Sequence, residues 1–225
     1  MGEMVQLREK DGHVLHAYVV QPGVPARGGL VILQEIFGVN AHIRAVADRY
    51  ADEDGFVVVA PALFDRIEPG VELKDEGEDR QRAMALLAKF DIEKAVDDVA
   101  AAVQCERCFG NVKKIGVVGY CLGGTLAWLS AARLPIHAAV GYYGGRIAQY
   151  VTEKPKVPVM LHFGELDQHI PREEIEAVAK AHPSVKIFTY PSGHAFNRDG
   201  GPSYSPSCAR RARERTLAFL HEHLA

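Results

Sequence analysis

A chain of 225 residues, 48% hydrophobic and 24% charged, has the composition of an ordinary globular protein with enough material for one full core. Its 26 basic and 29 acidic side chains leave a formal charge of −3, which offers no field to nucleic acid or an anionic membrane and suits a small neutral or anionic partner instead. No apolar run approaches the roughly 18 residues of a membrane span, Met1-Gly2-Glu3-Met4 lacks the regions of a secretory leader, and four cysteines are too few for a disulfide scaffold. A cytoplasmic protein with reduced thiols is expected.

Met4–Arg8 and Val14–Val20 flank the turn-forming Lys10-Asp11-Gly12 and predict an antiparallel hairpin at a sheet edge. Gly29–Gln34 reads as the first buried strand. Asn40 is placed to cap a helix in which Ile43, Val46, Ala47 and Tyr50 recur at i, i+3, i+4 and i+7, and Gly55 ends it. Strand Phe56–Ala60 follows, and then a polar connection from Pro61 through Asp65, Glu68, Pro69 and Gly70 to the region of Arg80. Connections of that length are usually functional or disordered.

Helical character runs from about Asp79 to Val103, broken near Asp91, with Ile92, Val96, Val99 and Val103 on its core face. Strands Lys114–Val118, His137–Gly141, Val157–Phe163 and Val185–Tyr190 alternate with helices Leu122–Ala132 and Pro171–Ala181, the latter begun by proline at its first position. A last helix starts at Ser205-Pro206. This alternation predicts one α/β domain over residues 1–225, built on a mainly parallel sheet with helices on both faces and an antiparallel N-terminal hairpin.

The segment that points to chemistry is Gly119-Tyr120-Cys121-Leu122-Gly123-Gly124, because it follows an apolar strand and opens a helix, as a nucleophile elbow does. A G-x-C-x-G string arises by chance about 0.03 times at this composition, so the flanking strand and helix add the weight that the string lacks. The tight turn needs small neighbours, which Gly119 and Gly123 supply. The helix N-terminus lowers a thiol pKa, and backbone N–H groups, notably that of Leu122, can hold a developing oxyanion. The alternative is a buried structural cysteine in a glycine-rich turn.

A cysteine nucleophile needs a base, and the base needs an orienting acid, in the order nucleophile, acid, histidine. Asp167 stands just past the strand ending His162-Phe163-Gly164, and His194 just past the last strand in Pro191-Ser192-Gly193-His194. Both belong at the carboxyl edge of a parallel sheet. Glu165 and His169 are neighbouring competitors, and His162 reads as a satisfied core histidine. Cys105-Glu106-Arg107-Cys108 has C-x-x-C spacing, but no second pair and no H-E-x-x-H accompany it, so no metal is expected and the pair is read as structural.

With these residues in place the chain resembles the dienelactone hydrolases, or carboxymethylenebutenolidases, of the α/β-hydrolase fold. The matching segments are Gln34-Glu35-Ile36-Phe37-Gly38, Arg80-Gln81-Arg82, the Cys121 elbow, Val140-Gly141-Tyr142-Tyr143-Gly144, Asp167 and Gly193-His194-Ala195-Phe196. The resemblance implies a Cys121-His194-Asp167 triad, an oxyanion hole from the N–H groups of Leu122 and Ile36, and a Glu35 carboxylate that restrains the thiol until substrate displaces it. It also implies that Arg82 and Arg198 grip a substrate carboxylate, and that a small lactone is opened through a cysteine acyl-enzyme with no cofactor, by a monomer or small homo-oligomer.

One departure bears on the substrate. The stretch Ala83–Phe90 lacks the tyrosine and tryptophan that dienelactone-cleaving members carry near this point, and it is about two residues shorter. A broader esterase or thioesterase on the same triad is therefore the second expectation, and a non-catalytic ligand-binding protein on the same fold the third.

Overall fold

The computed structural model describes residues 2–224. It divides into two compact units, the first ending at Ile115 and the second starting at Gly116. Both are α/β, and each is described by itself.

In the first unit, β1 (Glu3–Arg8) and β2 (Val14–Val20) form the expected antiparallel hairpin, with Leu7 opposite Leu15. β2 pairs antiparallel with β4 (Phe56–Pro61), which pairs parallel with β3 (Gly28–Leu33). Every residue of β3 and β4 is buried, which is why these segments read as unbroken apolar runs rather than alternating ones.

Helix α1 (Ala41–Asp52) packs on β4 and is capped as expected, the Asn40 side chain accepting from the Ile43 N–H at 3.2 Å. The predicted break near Asp91 separates α2 (Gly77–Leu87) from α3 (Ile92–Val103), whose first turn Asp91 caps by accepting from Glu93 and Lys94. The long connection after β4 is tied down within the unit. Arg66 forks onto the buried Asp98 of α3 through two bonds of 2.7 Å, and Asp65 accepts from the backbone N–H groups of His16 and Gly70.

A short helix, α4 (Glu106–Phe109), was not foreseen. Its turn sets the Cα atoms of Cys105 and Cys108 5.2 Å apart and a disulfide joins them, which corrects the expectation of four reduced thiols. An i, i+3 pair in a helical turn falls inside the span a disulfide can bridge. Cys121 and Cys208 remain free.

The second unit is a run of parallel strands: β5 (Ile115–Tyr120), β6 (Ala138–Tyr142), β7 (Val159–Gly164) and β8 (Lys186–Tyr190) pair in that order. Between them lie α5 (Leu122–Arg133), a 3-10 turn at Ile147–Tyr150 and α6 (Arg172–Ala181), where Pro171 sits one place earlier than expected, as the N-cap. Helix α7 (Pro206–Leu224) packs on β6 and β7 through Cys208, Ala209, Ala212, Thr216, Phe219 and Leu220. No described helix is long and apolar enough to cross a membrane.

Candidate active site

Because β5 to β8 are parallel, their carboxyl ends lie along one edge, and the loops leaving that edge come together. Cys121 is the residue between β5 and α5. It is the N-cap of α5 at φ 53°, ψ −113°, a conformation that disfavours any residue with a Cβ. The turn is possible only because Gly119 carries no side chain, since a Cβ there would lie 1.8 Å from the Gly123 carbonyl oxygen. Glycine at 124 is equally constrained by the Tyr142 carbonyl oxygen at 2.7 Å and the Gly144 backbone. The cysteine is pinned from below by its own N–H, which donates to the Tyr142 carbonyl at 3.0 Å.

Three residues separated by up to 73 positions then meet. The His194 imidazole reaches Cys121 Sγ with Nε2 at 3.2 Å and donates from Nδ1 to Asp167 Oδ2 at 2.7 Å. The Asp167 carboxylate has no exposed side-chain surface, and its other oxygen accepts from the His169 N–H at 2.8 Å. Both its oxygens are therefore engaged, which fixes the carboxylate plane and so the face it turns to His194. Glu165, the competitor, is exposed and accepts from the Thr189 hydroxyl at 2.8 Å.

Burial opposes charge on His194, but the hydrogen bonds to Asp167 and Cys121 outweigh it, and its pKa rises to about 10. The Nε2–Sγ contact places a proton acceptor and donor directly beside the nucleophile. The ring is also walled in, with Tyr143 and His169 edge-on at centroid distances of 5.1 Å each. Tyr143 and Ala195, next to these residues, both have positive φ, at 38° and 57°. Leu122 opens α5, so its N–H is one of the first-turn donors that a helix leaves without an internal acceptor.

The remaining expected site residues stand as follows. Glu35 follows β3 and is 2% exposed, a buried carboxylate rather than a solvated one, and Ile36 beside it is half-buried. The preceding Gln34 bonds the Leu63 N–H at 3.0 Å, which fixes the strand end that carries them. Arg82 lies on an exposed face of α2 and forms an ion pair with Glu68. Arg198 is half-buried in the loop after His194, its N–H donating to Ala195 at 2.9 Å. Among the described residues no three His, Cys, Asp or Glu side chains gather as a metal site would.

Beneath the triad His162 is the satisfied core histidine expected, within a polar layer whose other members the sequence reading did not foresee. His162, fully buried on β7, bonds Tyr190 Oη through Nδ1 at 2.8 Å and Thr216 Oγ1 through Nε2 at 3.0 Å. Thr216 also bonds Tyr142 Oη at 2.6 Å, and Arg215 donates to Tyr190 Oη at 3.1 Å. Burial lowers the His162 pKa to about 3, with the nearby Arg215 charge acting in the same direction. The usable signal was Thr216, one hydroxyl in the otherwise apolar stripe of α7.

Comparison with known proteins places the chain in a family. A model of the dienelactone hydrolase family matches residues 15–224. A carboxymethylenebutenolidase of Pseudomonas putida is 37% identical over 97% of this chain and 95% of its own length. Carboxymethylenebutenolidase 1 of Cupriavidus pinatubonensis is 33% identical over 98% of this chain and 97% of its own. Among solved structures, a candidate dienelactone hydrolase from Klebsiella pneumoniae is similar with a TM-score of 0.84 at 25% identity, covering 99% of this chain and all of the other.

Proposed function

The chain belongs to the dienelactone hydrolase family, and from that premise we propose that it opens a small lactone or ester bearing a carboxylate, through a thioester formed on Cys121. The whole chain is taken as one catalytic domain of a cytoplasmic protein, with Cys121 kept as a free thiol. One observation carries the proposal: the hydrogen-bonded sequence Cys121 Sγ, His194, Asp167, at 3.2 Å and 2.7 Å.

In this mechanism the Cys121 thiolate attacks the carbonyl carbon, the ring C–O bond breaks, and the leaving enolate takes a proton from the His194 imidazolium. His194, now neutral, removes a proton from water as the water oxygen attacks the thioester. The C–S bond breaks, Cys121 leaves as thiolate, and the acid is released. Asp167 holds the imidazole in the tautomer that faces sulfur with Nε2 and stabilises its charge. The Leu122 N–H, at a helix N-terminus, meets the oxyanion. No step requires a cofactor.

We further propose that the Ile36 N–H meets the oxyanion, that Glu35 restrains the thiol, and that Arg82 and Arg198 hold the substrate carboxylate. Arg82 donates to Glu68 on an exposed face of α2, so a substrate carboxylate would take that glutamate's place. The test is hydrolysis of a dienelactone by the wild type and by Cys121→Ala. The expected loss is about 10⁶-fold, to background; turnover by the variant near the wild-type rate would remove Cys121 from the mechanism.

A broader esterase remains the second reading, favoured by a helix α2 that exposes Met84 and bears no aromatic side chain beyond Arg82. Arg82→Ala separates the two. Selective carboxylate recognition predicts a raised KM for the dienelactone and an unchanged one for neutral aryl acetates, and equal harm to both would favour the broader enzyme.

A further inference from the structure

The buried layer under the triad is one connected chain. Arg215 donates to Tyr190 Oη, which bonds His162 Nδ1. His162, held neutral by burial, bonds Thr216 Oγ1 through Nε2, and Thr216 bonds Tyr142 Oη. Each member polarises the next, so the set is stiffer than its separate bonds.

The same three residues that supply ring atoms to this layer hold the triad with their peptide groups. Tyr142 accepts the Cys121 N–H at 3.0 Å. The His162 carbonyl accepts the Tyr143 N–H at 2.7 Å, and its strand ends at Gly164, three residues before Asp167. Tyr190 accepts the N–H groups of Glu165 at 2.8 Å and Ser192 at 2.7 Å, and lies four residues before His194. Aromatic contacts continue the stack upward, Tyr142 meeting His162 at 4.6 Å and Tyr120 at 4.9 Å, and Tyr143 meeting His194 at 5.1 Å.

We infer that His162 and Thr216 are positioning residues for the hydrolytic triad, setting through Tyr142 and Tyr190 the mutual spacing of the strand ends that carry Cys121, Asp167 and His194. The inference rests on the triad mechanism proposed above. A layer that merely satisfied buried polar atoms would need no common member; here a single hydroxyl on α7, Thr216, joins the ring systems of β6 and β7, and β8 enters through Tyr190.

The decisive variants are Thr216→Val, which keeps shape and removes the hydroxyl, and Thr216→Ser, which restores it. Misplacement of the order of an ångström costs about 10²-fold in rate, so Thr216→Val is expected to lower kcat by about 10- to 100-fold with KM within about twofold. The pH profile of Cys121 alkylation by iodoacetamide is expected to move toward that of an ordinary thiol, and Thr216→Ser to return both. Should Thr216→Val not fold, Tyr190→Phe removes one hydroxyl of the same chain and is expected to give the same split. A folded variant with a lower Tm but unchanged kcat and alkylation profile overturns the positioning role. If wild type itself fails to turn over, the failure lies in the proposed mechanism and not in the buried layer.

Discussion

Two imidazoles of the second unit, one at the rim of the strands and one beneath it, have opposite electrostatic fates. His194 and His162 are both largely withdrawn from water, yet the first has its pKa raised to about 10 and the second lowered to about 3. The difference lies in their partners. His194 faces a carboxylate and a sulfur that stabilise its charge, whereas His162 faces two hydroxyls and lies near the Arg215 cation. Burial alone makes a histidine inert; burial beside an anion makes it an acid and base in waiting.

The comparison breaks most completely if the anion is removed. Asp167→Asn is expected to lower turnover by about 10⁴-fold with the fold intact, because the amide favours the wrong imidazole tautomer. Glu165→Gln, two residues away, is expected to stay near the wild-type rate, since that carboxylate is exposed and engaged by Thr189. Steady-state kinetics on the two variants together check the assignment, and the reverse ranking would transfer the role to Glu165.

A second, smaller effect sharpens the rim. With His194 Nε2 lying 3.2 Å from Cys121 Sγ, alkylation of Cys121 at neutral pH is expected to be faster in the wild type, once a bound substrate analogue relieves the Glu35 restraint, than in His194→Gln. In His194→Gln the rate is expected to climb only near the ordinary thiol pKa of about 8.5. Equal rates for the two proteins at pH 7 with the analogue bound would contradict the role of His194.

The smallest effect concerns the buried layer. His162 binds a proton more weakly folded than unfolded, so its contribution to stability is complete above the unfolded pKa of 6.5 and is lost as pH falls toward about 3. Within that window the folding equilibrium is expected to lose up to roughly a factor of ten per pH unit from this one group. Urea unfolding at pH 4 to 7 on the wild type and on His162→Gln checks it: the variant's stability should depend less steeply on pH.

How much of this was legible depended on whether the cause was local. The Cys121 elbow was readable because Gly119 answers to the backbone four residues on, and Asp167 and His194 because each follows a strand whose apolar run marks its end. The Asn40 and Asp91 boundaries were readable as caps for the same reason. The Cys105–Cys108 bond was not, because nothing before the structure placed those residues in the turn of α4. The layer around His162 was also hidden: it needs residues from β6, β7, β8 and α7 at once, and no periodicity in one segment reports a hydrogen bond to another. The sequence reading prefers Asp167 to Glu165, and its carboxylate is the one withdrawn from solvent.

The central claim is that Cys121 becomes the acyl carrier, and it is tested most directly by acid-quenching the enzyme in the first turnovers of a slowly deacylating aryl ester and measuring the mass of the Cys121 peptide. The account predicts one acyl group on Cys121, appearing with a burst of alcohol and absent from Asp167→Asn at the same time point. Burst release of alcohol with Cys121 unmodified, or the acyl group on another residue, would contradict it.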